Sequence, residues 1–435
     1  MDKAREAAVF ALERTRRDGA WSSALSDAMK TKYDLDSRSL SLAVSISLGV
    51  LQSTALLDYY IDLNSKSASK IEPKVRDIMR SGAYQLIFMD KIPASAAVNE
   101  SVSLCKKLGY SRASGFCNAV LRKIASSADK LPEPPGKGTA QYLSVKYSHP
   151  QQLAQYIVDR RGYDAAEAFL AADNTIPDTC LQVNTLKITP DELMAHLLAE
   201  SIPCSMHPWL PNCIVTAGSV SSMPGFDEGL FYVQDPAAKC AVLAAALEPG
   251  MYVLDSCAAP GGKSFAAAIA MRNEGSIDSC DLHDKKIRLI SEGAQRLGLS
   301  CINAFLHDAR EPFYRQYDAI IADVPCSGYG VIRKKPEIRY KPLEDSASMP
   351  AIQAAILENL SQYVKSGGVI VYSTCTVLGR ENEDVVKAFL RAHAEFSAEG
   401  FTLPNGETAA DGYITFWPDI HGTDGFFVSK LRRNK

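Results

Sequence analysis

Two cysteines stand where a β-sheet would deliver them to a cleft. Cys326 follows the apolar run Ile320-Ile-Ala-Asp323, and Cys375 follows Val369-Ile-Val-Tyr372. An acid, Asp323, closes the first of these strands. In an open α/β sheet, neighbouring strand ends line one rim and open onto the ligand crevice. A single cysteine after an apolar strand is usually an inert core thiol. Two of them on one rim, beside a carboxylate, point instead to thiols that take part in the chemistry of that crevice.

A second stretch has the pattern of an anion-binding turn. Tyr252-Val-Leu-Asp255 reads as a strand, Ser256-Cys-Ala-Ala-Pro-Gly-Gly262 as a tight small-residue loop, and Lys263 onward as an alanine-rich helix. Backbone N–H groups at such a helix start receive a ligand anion. The spacing excludes a Walker loop, because the residue five before Gly262 is Cys257 rather than glycine. The Gly-x-Gly-x-x-Gly of a dinucleotide fold is missing too. Carboxylates follow at successive strand ends: Asp255, then Asp281 at 26 residues, then Asp308 after the third strand. An acid ending strand two is suited to a ribose diol. A ligand with one carboxylate and a ribose fits this set, and S-adenosylmethionine has both.

The elements that must position these residues fall into three parts. Residues 236–435 alternate strands and helices, which predicts a doubly wound α/β sheet. Residues 141–235 predict a small α+β platform, with strands at Cys180–Lys187 and Cys213–Thr216 around a helix from Pro190 to Glu200. Residues 1–130 predict an all-helical module with breaks at Gly19, Asp34–Ser37, Pro73, Pro93 and Gly109. The linker Lys130-Leu-Pro-Glu-Pro-Pro-Gly-Lys-Gly138 is stiff and cannot be helix. At 46% hydrophobic and 22% charged residues, the composition is that of a soluble globular chain. The serine-interrupted run Leu40–Leu57 reads as a buried helix rather than a membrane span. Eleven cysteines without C-x-x-C spacing predict neither a disulfide framework nor a metal site. The setting expected is the reducing cytoplasm. The net charge of −3 divides into +6 for residues 1–130 and −9 for the rest, so the front module is the part suited to a polyanion.

Cys257-Ala-Ala-Pro-Gly-Gly-Lys263, Asp323-Val-Pro-Cys-Ser-Gly328 and Ser373-Thr-Cys-Thr376 resemble the motifs of the RNA (cytosine-5) methyltransferases. Lys91–Val102 and Gly115–Arg122 resemble a NusB-type RNA-binding domain, which narrows the resemblance to the RsmB group, also called Sun or Fmu. Tyr147-Ser-His-Pro150 and Leu181–Leu186 are similar to patterns of that group as well. The resemblance implies a Rossmann-like class I methyltransferase sheet, preceded by an all-α NusB-like domain and an α+β platform. It also implies cytosine 967 of 16S ribosomal RNA as target and S-adenosylmethionine as methyl donor, held by Cys257, Ala258, Ala259, Pro260, Gly261, Gly262, Lys263, Asp281, Asp308 and Asp323. Cys375 is then the nucleophile that adds to ring carbon 6, and Asp323 holds the base near N3 and its amino group. Cys326 assists release, and Lys263 lies near base and cofactor. The base must be unpaired or flipped out for a thiolate to reach it. The basic run Val331–Lys341 suits the RNA backbone, with Arg333, Lys334, Lys335 and Arg339 as contacts. No metal and no membrane are expected, and the protein is expected to act as a monomer. Two other readings share much of this pattern: a tRNA cytosine-5 methyltransferase, and a non-catalytic NusB-like RNA-binding factor.

Overall fold

Leu40–Leu57 lies within one long helix because no proline or glycine pair interrupts it and an acid caps its start. That helix, α3 (Ser37–Leu63), follows α1 (Lys3–Asp18) and α2 (Ser22–Tyr33). The Ser39 N–H donates to Asp36 Oδ1 at 2.7 Å, satisfying one of the orphan amides of the first turn. By length and composition α3 would span a membrane. Its Ile46, Val50, Leu57 and Ile61 are instead buried in a helical core with Val9, Ile78, Met79, Val120 and Leu121. Those last four residues belong to α4 (Pro73–Phe88) and α6 (Ser114–Ser126), and α5 (Ala94–Lys107) packs between them in sequence. The computed structural model describes residues 3–18, 22–66, 68–217 and 220–434, so the break expected at Gly19 lies outside the described residues.

Two compact units divide the chain. The first is Met1–Thr175 with Ile332–Leu343, and the second is Ile176–Val331 with Glu344–Lys435. The stretch 141–235, expected as one platform, is therefore shared out. Its helices α7 (Ala140–Lys146), α8 (Gln151–Arg161) and α9 (Tyr163–Ala172) belong to the first unit. Its strands belong to the second.

In the second unit, β1 (Thr179–Val183), β2 (Cys204–Met206), β3 (Cys213–Thr216) and β4 (Phe231–Val233) form an antiparallel sheet in the order β2-β3-β1-β4. Helix α10 (Pro190–Ala199) starts with a reciprocal capping box between Thr189 and Glu192. After α11 (Pro236–Ala244) the main sheet begins with β5 (Tyr252–Asp255), α12 (Gly262–Ala270), β6 (Ser276–Asp281), α13 (Asp284–Leu297) and β7 (Ile302–Leu306). It continues with β8 (Tyr317–Asp323), α14 (Met349–Ser361), β9 (Val364–Thr374) and α15 (Glu383–Ala392). The short β10 (Phe396–Ala398) is followed by the two-stranded pair β11 (Phe401–Thr402) and β12 (Thr408–Ala409), then β13 (Tyr413–Phe416) and β14 (Phe426–Arg433).

The strand order is β10-β14-β9-β8-β5-β6-β7, with β13 paired to β14. Strands β5 to β9 run parallel, and β14 returns antiparallel against β9. Alternate side chains feed two cores, as the period-2 geometry of a strand requires. Val253, Ile277, Ala319 and Ile321 pack with α12 and α13, while Leu254, Ile320, Ile370 and Tyr372 pack with α14 and α15. The chain leaves β5 to both sides, to β6 and to β8, so the switch point of the sheet lies at the end of β5.

Candidate active site

The loop after β5 is shaped by what its backbone must avoid. Gly261 has φ +111°, and a Cβ there would lie 2.4 Å from the Phe265 ring. The turn closes with Gly261 N–H on the Ala258 carbonyl at 2.7 Å, and its next amides open α12. Asp255, fully buried at the end of β5, accepts the Ser264 hydroxyl on Oδ2 at 2.6 Å, and Ser279 donates to Ser264 in turn at 2.8 Å. Its Oδ1 is buried without a partner. Burial raises the Asp255 carboxyl to about 7, against the hydrogen bond from Ser264 and the charge of Lys263. Cys257, in the same loop, is pushed up to about 12, chiefly by burial.

Asp281 ends β6 and accepts the His283 amide on Oδ1 at 3.1 Å, with Lys286 Nζ 3.5 Å away. Its Oδ2 has no hydrogen-bond partner among the described residues. Asp308 differs: both its oxygens are taken by the Arg310 guanidinium, the closest contact being 2.6 Å. Arg310 holds its carboxyl below the usual range. That acid reaches a nucleoside only by giving up a bidentate pair. An orphaned buried acceptor, a glycine turn opening a helix and a free carboxylate oxygen at the next strand end fit a ligand carrying an ammonium, a carboxylate and a ribose diol.

At the ends of β8 and β9 the two cysteines meet. Cys326 Sγ and Cys375 Sγ are 2.9 Å apart, and the Cys375 N–H donates to Cys326 Sγ at 3.2 Å. The hydrogen bond with Cys375, then burial, pushes the Cys326 thiol well up. Asp323 accepts Lys263 Nζ on Oδ2 at 2.6 Å and the Ser373 hydroxyl on Oδ1 at 2.8 Å. Burial pulls the Lys263 ammonium down, but Asp323 more than offsets this and the group ends raised. Lys263 thus links the loop of β5 to the acid of β8, and Ser373 links that acid to the strand carrying Cys375.

The basic run behaves differently from expectation. Arg339, predicted at the RNA backbone, is 5% exposed. Its Nη1 donates to the carbonyls of Gln52, Tyr147 and Ser148 at 2.8 to 3.2 Å, and Nη2 to that of Asp173 at 3.2 Å. This is a correction: a guanidinium spent on four carbonyls inside the first unit is a structural clamp. Arg333 is buried as well and offers no solvent-facing cation. Lys334 and Lys335 are exposed. Sequence reasoning passed over Ser373 as a partner of Asp323, although it lies in the quoted Ser-Thr-Cys-Thr run. It also passed over the buried pair Gln353 and Glu381, which carry no motif. Among the described residues no group of three or more His, Cys, Asp or Glu could hold a metal ion.

Comparison with known proteins accounts for the whole chain. Residues 242–432 match the family described as 16S rRNA methyltransferase RsmB/F, residues 2–126 the NusB family, and residues 149–222 the RsmF/B-like ferredoxin-like domain. A probable ribosomal RNA small subunit methyltransferase B from Bacillus subtilis (strain 168) is 35% identical over 99% of this chain and 98% of its own length. Its counterpart from Synechocystis is 31% identical over the full length of both. Among solved structures, PH0851 aligns over 100% of this chain and 99% of its own, with a TM-score of 0.82 at 24% identity, a likeness of fold. A methyltransferase homologue from Pyrococcus horikoshii aligns over 68% of this chain and 98% of its own, at 25% identity and a TM-score of 0.59. The chain belongs to the RsmB/F family of S-adenosylmethionine-dependent 16S ribosomal RNA methyltransferases.

Proposed function

We propose that this methyltransferase acts on carbon 5 of an unpaired or flipped-out cytosine of 16S ribosomal RNA, cytosine 967 in the numbering used for its group, through a transient bond to Cys375. The observation that carries this reading is the 2.9 Å approach of two thiols on adjacent parallel strand ends, beside the Lys263–Asp323 pair. Carbon 5 of cytosine is too poor a nucleophile to displace a methyl group from a sulfonium unaided. When the Cys375 thiolate adds to carbon 6, the ring becomes an enamine with electron density on carbon 5.

Asp323 takes the base. Its carboxylate offers about four lone-pair directions, and Lys263 and Ser373 supply one donor each. The remaining lone pairs accept from the amino group and from N3–H of the protonated ring, the form that accepts thiolate most readily. Lys263 fixes the orientation of that carboxylate and carries positive charge to the reacting centre. Cys257 to Gly262, with Asp281, form the bed of the methyl donor, and the donor supplies an electrophilic methyl group. After transfer, carbon 5 bears both the methyl group and a proton. A base removes that proton, its bonding pair forms the carbon 5–carbon 6 double bond, and the sulfur–carbon 6 pair returns to Cys375. Cys326, next to that sulfur, assists this elimination.

The test is a denaturing gel of protein incubated with methyl donor and 16S RNA fragments. Cys326→Ala is expected to accumulate a slow covalent RNA band, and Cys375→Ala to form none. Methylation at the wild-type rate by both variants would refute the assignment of both sulfurs. Bisulfite sequencing of the RNA identifies the nucleotide, and a modified tRNA in its place would move the substrate without moving the chemistry.

A further inference from the structure

Behind the two thiols lies a buried carboxylate that the reaction itself does not touch. Glu381 sits in the short turn Gly379–Glu381, six residues after Cys375, and is fully buried. Its Oε2 accepts the Ser327 N–H at 2.9 Å and Gln353 Nε2 at 3.0 Å. Gln353, equally buried on α14, also donates to the Pro325 carbonyl at 3.0 Å. Cys326 is thus fastened on both sides of its own peptide unit, at 325 and at 327. The turn is itself held, because the Tyr372 hydroxyl donates to the Glu381 carbonyl at 2.6 Å. Ser327 Oγ and Thr376 Oγ1, 2.9 Å apart, tie the two cysteine loops once more. Glu381 Oε1 has no partner, and no ion pair offsets the charge among the described residues.

A buried carboxylate with one unsatisfied oxygen is costly, and an apolar side chain would pack there more favourably. Its hydrogen bonds converge on the backbone of one cysteine, which gives the cost a purpose. We propose that Glu381, with Gln353, is a positioning residue for the release step: it holds the Pro325–Ser327 backbone so that Cys326 Sγ stays beside Cys375 Sγ while the methylated base is expelled. The inference rests on the two-cysteine reading above. It differs from that reading in assigning to Glu381 an effect on release and none on adduct formation.

The experiment measures adduct and methylated RNA in parallel for Glu381→Ala, Glu381→Gln, Gln353→Ala and Cys326→Ala. A glutamine at 381 keeps an oxygen for both donors, so it is expected to turn over like wild type. Glu381→Ala is expected to raise the standing fraction of covalent adduct about tenfold, with formation unchanged, and Gln353→Ala to raise it less. If Cys326→Ala traps adduct while Glu381→Ala and Gln353→Ala do not, the inference about Glu381 is overturned and the two-cysteine reading survives. If Cys326→Ala traps none, the two-cysteine reading falls first. Should Glu381→Ala fail to fold, Gln353→Ala carries the same test. Parallel loss of formation and release in both alanine variants would mean a merely structural role and would overturn the proposal.

Discussion

Asp255 reverses the ordinary relation between a carboxylate and pH. Most native carboxylates are held below their free value and add stability as pH rises. Burial lifts Asp255 from 3.8 to about 7, so between those values the folded chain keeps a proton that the unfolded chain gives up. Stability then falls as pH rises through that window, with a slope of up to about 1.4 kcal/mol per pH unit for one group. Other groups titrate in the same range, so the useful quantity is the difference between variants. Asp255→Asn is expected to remove a loss on the order of 2 kcal/mol between about pH 5 and pH 7. Urea unfolding of both proteins at the two pH values measures it. Equal pH dependence in wild type and variant would show that Asp255 is ionised in the fold and that its unpartnered Oδ1 is satisfied elsewhere.

At the level of elements, one ring joins α12 to α13. The Phe265 ring lies against Gly261 at the start of its own helix and against Gly293 on α13, and a Cβ at either glycine would fall 2.4 Å from its Cζ. Gly293→Ala overpacks a filled contact, which costs about 1–3 kcal/mol, and Phe265→Leu should recover most of that by vacating the space. Gly261→Ala meets the same ring but also has φ +111°, and that penalty of about 1–2 kcal/mol remains whatever stands at 265. Chemical unfolding of the three single and two paired variants is expected to show rescue at 293 and only partial rescue at 261. The central sheet was legible for a related reason. Strands packed between helical layers read as apolar runs, and the runs ending at Asp255, Asp323 and Tyr372 lie within β5, β8 and β9. The edge strands Phe396–Ala398 and Tyr413–Phe416 were not legible, because three or four residues paired to a distant strand carry no period of their own. At the site, the thiols and the cofactor loop announced themselves by motif. Gln353 and Glu381 did not, since their partners lie 28 and 54 residues away and only the fold brings them together.

On the scale of the whole chain, the segment Ile332–Leu343 shows why charge in a sequence is not yet charge on a surface. It follows the Cys326 loop in sequence, yet it belongs to the compact unit of residues 1–175. Five basic residues stand in Val331–Lys341. Arg339 is consumed by carbonyls from Gln52, Tyr147, Ser148 and Asp173, residues separated from it by 166 to 287 positions. Burial lowers its guanidinium to about 10, a cost that only a clamp with several acceptors offsets. Lys334, Lys335 and Lys341 are the exposed cations of the run and are suited to RNA phosphates. The two roles separate in one experiment on salt dependence. Each phosphate contact on single-stranded RNA contributes about 0.7 to the slope of log K against log salt, so the double variant Lys334→Ala, Lys335→Ala is expected to flatten that slope by about 1.4 and to lower the melting temperature far less than Arg339→Ala does. Arg339→Ala is expected to do the reverse. Four carbonyls lose a buried donor, the first unit loses several kcal/mol, roughly 3 to 5 by analogy with a broken buried ion pair, and the salt slope of whatever protein remains folded stays the same. A flattened slope in Arg339→Ala with an unshifted melting temperature would return that arginine to the RNA and remove it from the scaffold.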